Sequence, residues 1–135
     1  MIPILCVDDS GGTMFNHRRL SQDRLLRQDV LAMAHGRRLW MNAYSLRQFQ
    51  SQPEAPITVD EDFLAKAGPG ELCFVEGLPL LPHMDRIEAV VLYRWNRRYP
   101  ADTYFDLPLS TYRLRETKDF PGSSHKTITK EIYTP

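Results

Sequence analysis

Asp85 to Phe105 reads DRIEAVVLYRWNRRYPADTYF. Within it, Ala89-Val90-Val91-Leu92-Tyr93 is a continuous apolar, β-branched run, the pattern of a strand covered on both faces in the middle of a sheet. A basic aromatic turn, Arg94 to Tyr99, and an acidic aromatic tag, Ala101-Asp102-Thr103-Tyr104-Phe105, follow it. Similar apolar runs at Ile2–Val7, Arg38–Asn42 and Glu71–Gly77 predict further strands. Between them, Leu25, Leu26, Val30, Leu31 and Met33 recur at helical spacing, predicting a helix from Gln22 to His35 with Ser21 as N-cap and Gly36 as its stop. Asn42 caps a second helix over Ala43 to Phe49, and Asp60 to Ala67 forms a short third with acids in its first turn. Thr13 to Arg19 and Ser51 to Pro56 read as loops, and Leu78 to Pro82 leaves at most one helical turn. Tyr112–Asp119 and Thr127–Tyr133 alternate polar and apolar residues, as paired antiparallel strands at a sheet edge do. Strands alternating with helices predict an α/β sandwich around a mostly parallel sheet.

A chain of 135 residues suits one domain over 1–135, with a single core. The formal net charge of +0 removes the long-range field of a dedicated nucleic-acid binder. The apolar start lacks a basic flank and meets Asp8-Asp9 at once, so a signal peptide or membrane span is not expected and the chain reads as cytoplasmic. Cys6 and Cys73 stand alone in apolar runs, as buried free thiols do. His17, His35, His83 and His125 lack the spacing of a metal site, so no metal is expected. Ser123-Ser124-His125 sets hydroxyls beside an imidazole, but no nucleophile elbow surrounds either serine, so hydrolase chemistry is not indicated.

Several motifs, in order, resemble dihydrofolate reductase. Val7-Asp8-Asp9 with Gly11-Gly12 is similar to that family's first strand and mobile loop. Leu20-Ser21-Gln22-Asp23 resembles the Leu-Pro-Glu-Asp that opens its first helix, and Leu39-Trp40-Met41-Asn42 its second strand. Cys73-Phe74-Val75-Glu76-Gly77 resembles its Val-Ile-Gly-Gly strand end, and Leu81-Pro82-His83-Met84-Asp85-Arg86 its Leu-Pro-x-Ala-Asp-Arg. Ala101 to Phe105, Tyr112 to Arg115, Phe120-Pro121-Gly122 and Ile128 to Tyr133 resemble its C-terminal third. The resemblance implies a dihydrofolate reductase-like three-layer sandwich: a mostly parallel central sheet with a C-terminal antiparallel strand pair, Ile2–Val7 lying between the Cys73–Glu76 and Ala89–Tyr93 strands.

It also implies a site. The family holds its pterin on a carboxylate of the first helix, supported by the threonine of the Asp-Thr tag. Thr103 matches that threonine; motif alignment puts Asp23 at the acid, whereas an ungapped count from Met41 puts Leu26 there. Ile4, Leu26 and Val75 would line the ligand cleft, and Glu76, where the family is apolar, adds a carboxylate at the strand end. If Asp23 is the acid, it faces Glu76 across Ile4 and bonds Thr103. Such a pair should raise one carboxyl's pKa, and Asp23→Asn should leave the fold as stable or more so. Asp23 could also serve only as a first-turn acid paired with Arg27.

NADPH is implied by the resemblance alone, through Asn42, Ser45 and Gly77. Against it, the family's phosphate-binding Arg is Ala43 here, its Gly-Gly turn is Gly77 followed by Leu78-Pro79, and Gln50 to Ile57 leaves no room for its next strand and Ser-Arg. The expectation is therefore a protein that reduces or binds a pterin-like or other planar heterocycle with a degraded NADPH site. The alternative is a non-catalytic member of the fold that binds a protein, nucleotide or RNA through Arg94, Trp95, Arg97 and Arg98, whose interleaved cations and aromatics suit a single strand.

Overall fold

The apolar runs become neighbours in one sheet. The computed structural model describes residues 1–50 and 56–135. In chain order its elements are β1 (Ile2–Val7), β2 (Gly12–Phe15), β3 (Arg18–Arg19), α1 (Arg24–Met33), β4 (Leu39–Met41) and α2 (Ala43–Leu46), which continues as a 3-10 turn over Arg47–Phe49. Then come β5 (Ile57–Val59), α3 (Phe63–Lys66), β6 (Leu72–Phe74), a 3-10 segment over Leu81–Arg86, β7 (Val90–Arg94), β8 (Thr103–Tyr104), a 3-10 turn over Leu109–Thr111, β9 (Arg113–Phe120) and β10 (Ile128–Thr134). Seven strands form one sheet in the order β5-β4-β6-β1-β7-β10-β9. The first five run parallel, and β10 is antiparallel to both β7 and β9. β1 therefore lies between β6 and β7, and the antiparallel pair closes one edge, as the resemblance implied.

Side-chain alternation along β1 builds the layers, because successive residues of a strand face opposite ways. Ile4 packs with Leu26 and Val30 of α1 and its C-cap Ala34, with Phe49, and with Leu39, Met41, Leu72, Phe74, Val91 and Tyr93. Leu5 and Val7 pack on the other face with Phe63 and Leu64 of α3, and with Leu80, Ile87, Leu107 and Tyr112. The strands buried on both faces are the continuous apolar runs. β9 is exposed at every position before Phe120, and its Arg, Glu, Lys and Asp residues discourage pairing with a further strand.

Several boundaries differ from expectation. The first helix begins at Arg24, and its N-cap is Asp23 rather than Ser21. Thr13 to Arg19 is a hairpin, not a loop: β2 and β3 are joined by Asn16 and His17, both at positive φ (51° and 61°), the conformation that two-residue hairpin turns require. This hairpin and β8 make a second, small sheet. A further strand not assigned from the sequence, β5, starts at Ile57, at the end of the Gln50 to Ile57 stretch read as too short for one, and pairs parallel with β4. The 3-10 segment at Leu81–Arg86 spans six residues, beyond the single turn expected. The loop read at Ser51 to Pro56 lies, but for Pro56, outside the described residues. No helix among those described is long and apolar enough to cross a membrane.

Cys6 packs toward the α1 face and Cys73 toward the α3 face, and both are free. Burial pushes the Cys73 thiol up to about 12. Cys73 is expected to resist a thiol reagent in the native protein, and two thiols should react on unfolding. A native disulfide found by mass spectrometry would contradict this arrangement.

Candidate functional site

The carboxyl ends of β1 and β6, where open parallel sheets place their ligands, carry Cys6, Val75 and Glu76. A pair of guanidinium hydrogen bonds closes this cleft. Arg19 Nε donates to Glu76 Oε2 at 2.9 Å and Arg19 Nη2 to Oε1 at 3.1 Å, while the guanidinium carbon stands 4.4 Å from the centre of the Tyr44 ring. Ser45 Oγ (2.9 Å) and Gln48 Nε2 (3.0 Å) donate to the same Oε1. The hairpin delivers Arg19, whose N–H also donates to the Tyr44 hydroxyl at 2.9 Å. With Arg19 in place, about 10 Å³ remains in the cleft lined by Cys6, Thr13, Ser21, Val75 and Trp95. Burial and the Glu76 charge raise the Cys6 thiol well above its ordinary pKa; Arg19 opposes them.

Asp23 lies elsewhere, in a cluster of its own. Its Oδ1 accepts from the N–H groups of Leu25 (3.0 Å) and Leu26 (3.2 Å), capping α1, and from Ser123 N–H at 3.0 Å. Its Oδ2 accepts from Ser124 N–H at 2.9 Å and Oγ at 3.2 Å, and meets His125 Nδ1 at 2.9 Å. Gly122 lies so close that an added Cβ would stand 2.5 Å from Asp23 Oδ2. On the other side of the imidazole, Nε2 is 2.9 Å from Ser21 Oγ and 3.2 Å from the Tyr99 hydroxyl. Trp95 stacks on the ring at 4.4 Å between centroids. Burial alone would raise the Asp23 pKa, but the hydrogen bonds from His125, Ser124, Ser123 and Leu26 outweigh it and hold the carboxyl far below its usual range.

This geometry corrects the expected acid pair. Asp23 makes no bond to Thr103, whose hydroxyl donates to Asp102 at 3.1 Å and whose carbonyl accepts from Thr13 Oγ1; pairing of β8 with β2 holds Thr103 in the small sheet. Nor does a shared pocket raise the Asp23 pKa, because each carboxylate has its own donors: the loop after β9 for Asp23, Arg19 for Glu76. Arg27 is not its partner either, bonding instead to Gln22 Oε1 at 3.3 Å. Leu26 and Ile4 are core residues, each at most 2% exposed. Of the expected cleft residues, Val75 and Glu76 line it.

At the positions expected from the resemblance to hold a cofactor, the chain's own groups pair with one another. Asn42 accepts from Ser45 N–H at 2.9 Å as the α2 N-cap, and Ser45 is fully buried with its hydroxyl on Glu76. Glu61 Oε2 accepts from Ala43 N–H at 2.9 Å. Gly77 has φ +74°, and an added Cβ there would meet Met14 Cγ at 2.9 Å, so Met14 fills the close approach. Asp106 accepts from Leu80 N–H at 3.0 Å and Leu81 N–H at 3.0 Å, at the start of the 3-10 segment.

The basic aromatic turn is also dismantled as a stacking platform. Trp95 is buried against His125, and Arg94 Nε bonds Glu131. Arg97 and Arg98 remain exposed, with Arg97 5.5 Å from the Tyr99 ring centre. Residues passed over in the sequence are Arg19, Gln48 and Asp106, joined to partners 57, 28 and 26 residues away, and His125 was weighed there only for metal and hydrolase spacing. The hydroxyls of Ser123 and Ser124 drew attention to His125, yet the serine facing its Nε2 is Ser21.

No family model and no curated protein matches the chain. Among solved structures, it is similar to a dihydrofolate reductase from Enterococcus faecalis complexed with NADP(H) and RAB-propyl. The TM-score is 0.67 at 12% sequence identity, over 98% of this chain and 94% of that one. The likeness establishes a dihydrofolate reductase-like fold.

The Asp23 cluster reverses the expected effect of Asp23→Asn. An amide presents one oxygen and an NH₂ to donors that all require acceptors, so the substitution should destabilise the fold by roughly 2–4 kcal/mol near neutral pH. Because the folded carboxyl's pKa is depressed, this contribution is complete above the ordinary carboxylate value of about 4 and fades as pH falls below it. Urea unfolding of both proteins from pH 7 to pH 2 should show the difference shrinking with acid; a constant difference would contradict the assignment.

Proposed function

We propose that this dihydrofolate reductase-like protein binds a planar heterocycle with an amidine edge, pterin-like in kind, on Glu76, and that it does so without the NADPH site usual to the fold. The observation that carries this reading is the Arg19–Glu76 pair. Arg19 presents a planar N–C–N fork with two N–H groups on the two carboxylate oxygens and an aromatic ring against its face. A 2-aminopyrimidine edge makes the same two-pronged contact with a carboxylate, and charge-assisted pairs of this geometry are the strong ones. The Arg19 guanidinium thus stands where such a ring would bind. Entry of a ligand requires the hairpin to withdraw Arg19, and affinity is set by that competition.

The residues toward NADPH do not fit it. Phosphates seek unpaired N–H groups at helix starts, and here Glu61 and Asp106 already accept from those of Ala43, Leu80 and Leu81. Two carboxylates repel a pyrophosphate, and Met14 against Gly77 blocks close approach. This supports binding rather than reduction as the activity. The turn from Arg94 to Arg98 gives the RNA alternative less support, since its tryptophan is covered.

Calorimetry with a 2-amino-4-oxopteridine and with NADPH tests the proposal. Arg19→Ala should bind the pteridine roughly 10-fold or more tighter than the wild type, and Glu76→Gln should lose binding by a similar factor, the range of one charge-assisted hydrogen bond. NADPH should give no saturable heat. Equal pteridine affinity in all three proteins would reject the site, and saturable NADPH binding would restore the oxidoreductase reading.

A further inference from the structure

We propose that Ser21, activated by His125 with Asp23 behind it, is a nucleophile for acyl transfer from small carboxylic esters. Three side chains stand in line: Ser21 Oγ 2.9 Å from His125 Nε2, and His125 Nδ1 2.9 Å from Asp23 Oδ2. An ionised carboxylate only accepts, so with the imidazole neutral the Nδ1 carries the proton and Nε2 presents its lone pair. The nearer hydroxyl facing that lone pair is Ser21. Nucleophile, base and orienting acid are thus ordered as in hydrolases that share no fold with one another, where the arrangement is recognised by geometry and not by sequence position. Asp23 is held by four backbone N–H groups and the ring by Trp95, so the base is fixed before any substrate arrives. Ser21 itself lines the cleft of about 10 Å³ with Cys6, Thr13, Val75 and Trp95, while its neighbour Leu20 and Tyr99 border an open groove of about 350 Å³ with Phe15, Arg18 and Pro100, so a small ester seated in the groove reaches Oγ by displacing the Arg19–Leu20 segment between them. The proposal does not depend on heterocycle binding at Glu76.

In the first step Ser21 Oγ bonds the ester carbon as its proton passes to His125 Nε2. The Tyr99 hydroxyl, 3.2 Å from the same nitrogen, then loses its acceptor and turns to the developing oxyanion. Collapse breaks the bond to the leaving alcohol oxygen, which takes the proton from Nε2. Water next attacks the acyl-serine, giving its proton to Nε2; the Oγ–acyl bond breaks, Oγ recovers the proton, and the carboxylic acid leaves. Asp23 positions the ring and exchanges no proton.

The test uses the whole protein and 4-nitrophenyl acetate, with peptide mapping of the acetylated residue. Acetylation should fall on Ser21, release nitrophenolate in a burst, and leave Ser10, Ser123 and Ser124 unmodified. Ser21→Ala should abolish the burst, and His125→Asn should slow it roughly 100-fold or more, as expected for loss of a positioned base. Wild-type protein unfolded in urea serves where His125→Asn fails to fold: selectivity for Ser21 should vanish with the structure. Absence of a Ser21 adduct overturns the proposal, as does an adduct formed equally in His125→Asn or in the unfolded chain; the cluster would then be a clamp alone.

Discussion

The Asp23 carboxylate joins parts of the chain that share no strand. It begins α1, and through Ser123, Ser124 and His125 it fastens the turn between β9 and β10 onto that helix. One ionised group buried to 2% exposure would be costly if left bare. Surrounded by N–H donors, it instead fixes the geometry of everything that donates to it. Gly122 is required there because any side chain would intrude on the carboxylate. His125 is thereby held with one nitrogen committed and the other aimed at Ser21, and Trp95 is drawn off the surface to cover the ring. The buried tryptophan, the capped helix and the oriented imidazole therefore share one cause.

The same internal pairing of charge recurs at other places in the fold. Where a related architecture could offer helix starts and an open carboxylate to a ligand, this chain supplies the complementary groups from within. Glu61 sits on Ala43, Asp106 on Leu80 and Leu81, and Arg19 on Glu76. Each is a local charge placed against an oriented donor or acceptor, and the two carboxylates lie at helix starts, where negative charge is favourable. The fold is consequently closed on itself, and any guest at Glu76 competes with an intramolecular partner present at high effective concentration.

The parallel core was legible because its signals are local. Ile2–Val7, the Cys73 run and Val90–Tyr93 each announce a strand covered on both faces, and Asn42 marks its helix by its own side chain. The β2–β3 hairpin was not legible: Asn16-His17 adopts the left-handed turn without glycine, and the two strands are too short for alternation to register. Asp23 was found by its motif, but its partners were not, since nothing near Asp23 in sequence indicates an imidazole 102 residues away. Ser21 was read for its capping propensity, a role that Asp23, two residues on, takes instead. Tertiary hydrogen bonding, rather than propensity or periodicity, decides these cases.

The sheet order also constrains how the chain can assemble. β10 is inserted between β7 and β9, so β9, though made earlier, has no hydrogen-bonding neighbour until β10 arrives. A chain emerging from a ribosome can form the β6-β1-β7 centre while its last two strands are still missing. Until then one side of β7 is an open edge and Asp23 lacks His125. Contacts of such long sequence separation form slowly, because loop closure precedes any stabilisation. The nascent protein thus passes through a stage with an uncovered apolar edge and an unpartnered acid, the kind of species that chaperones recognise.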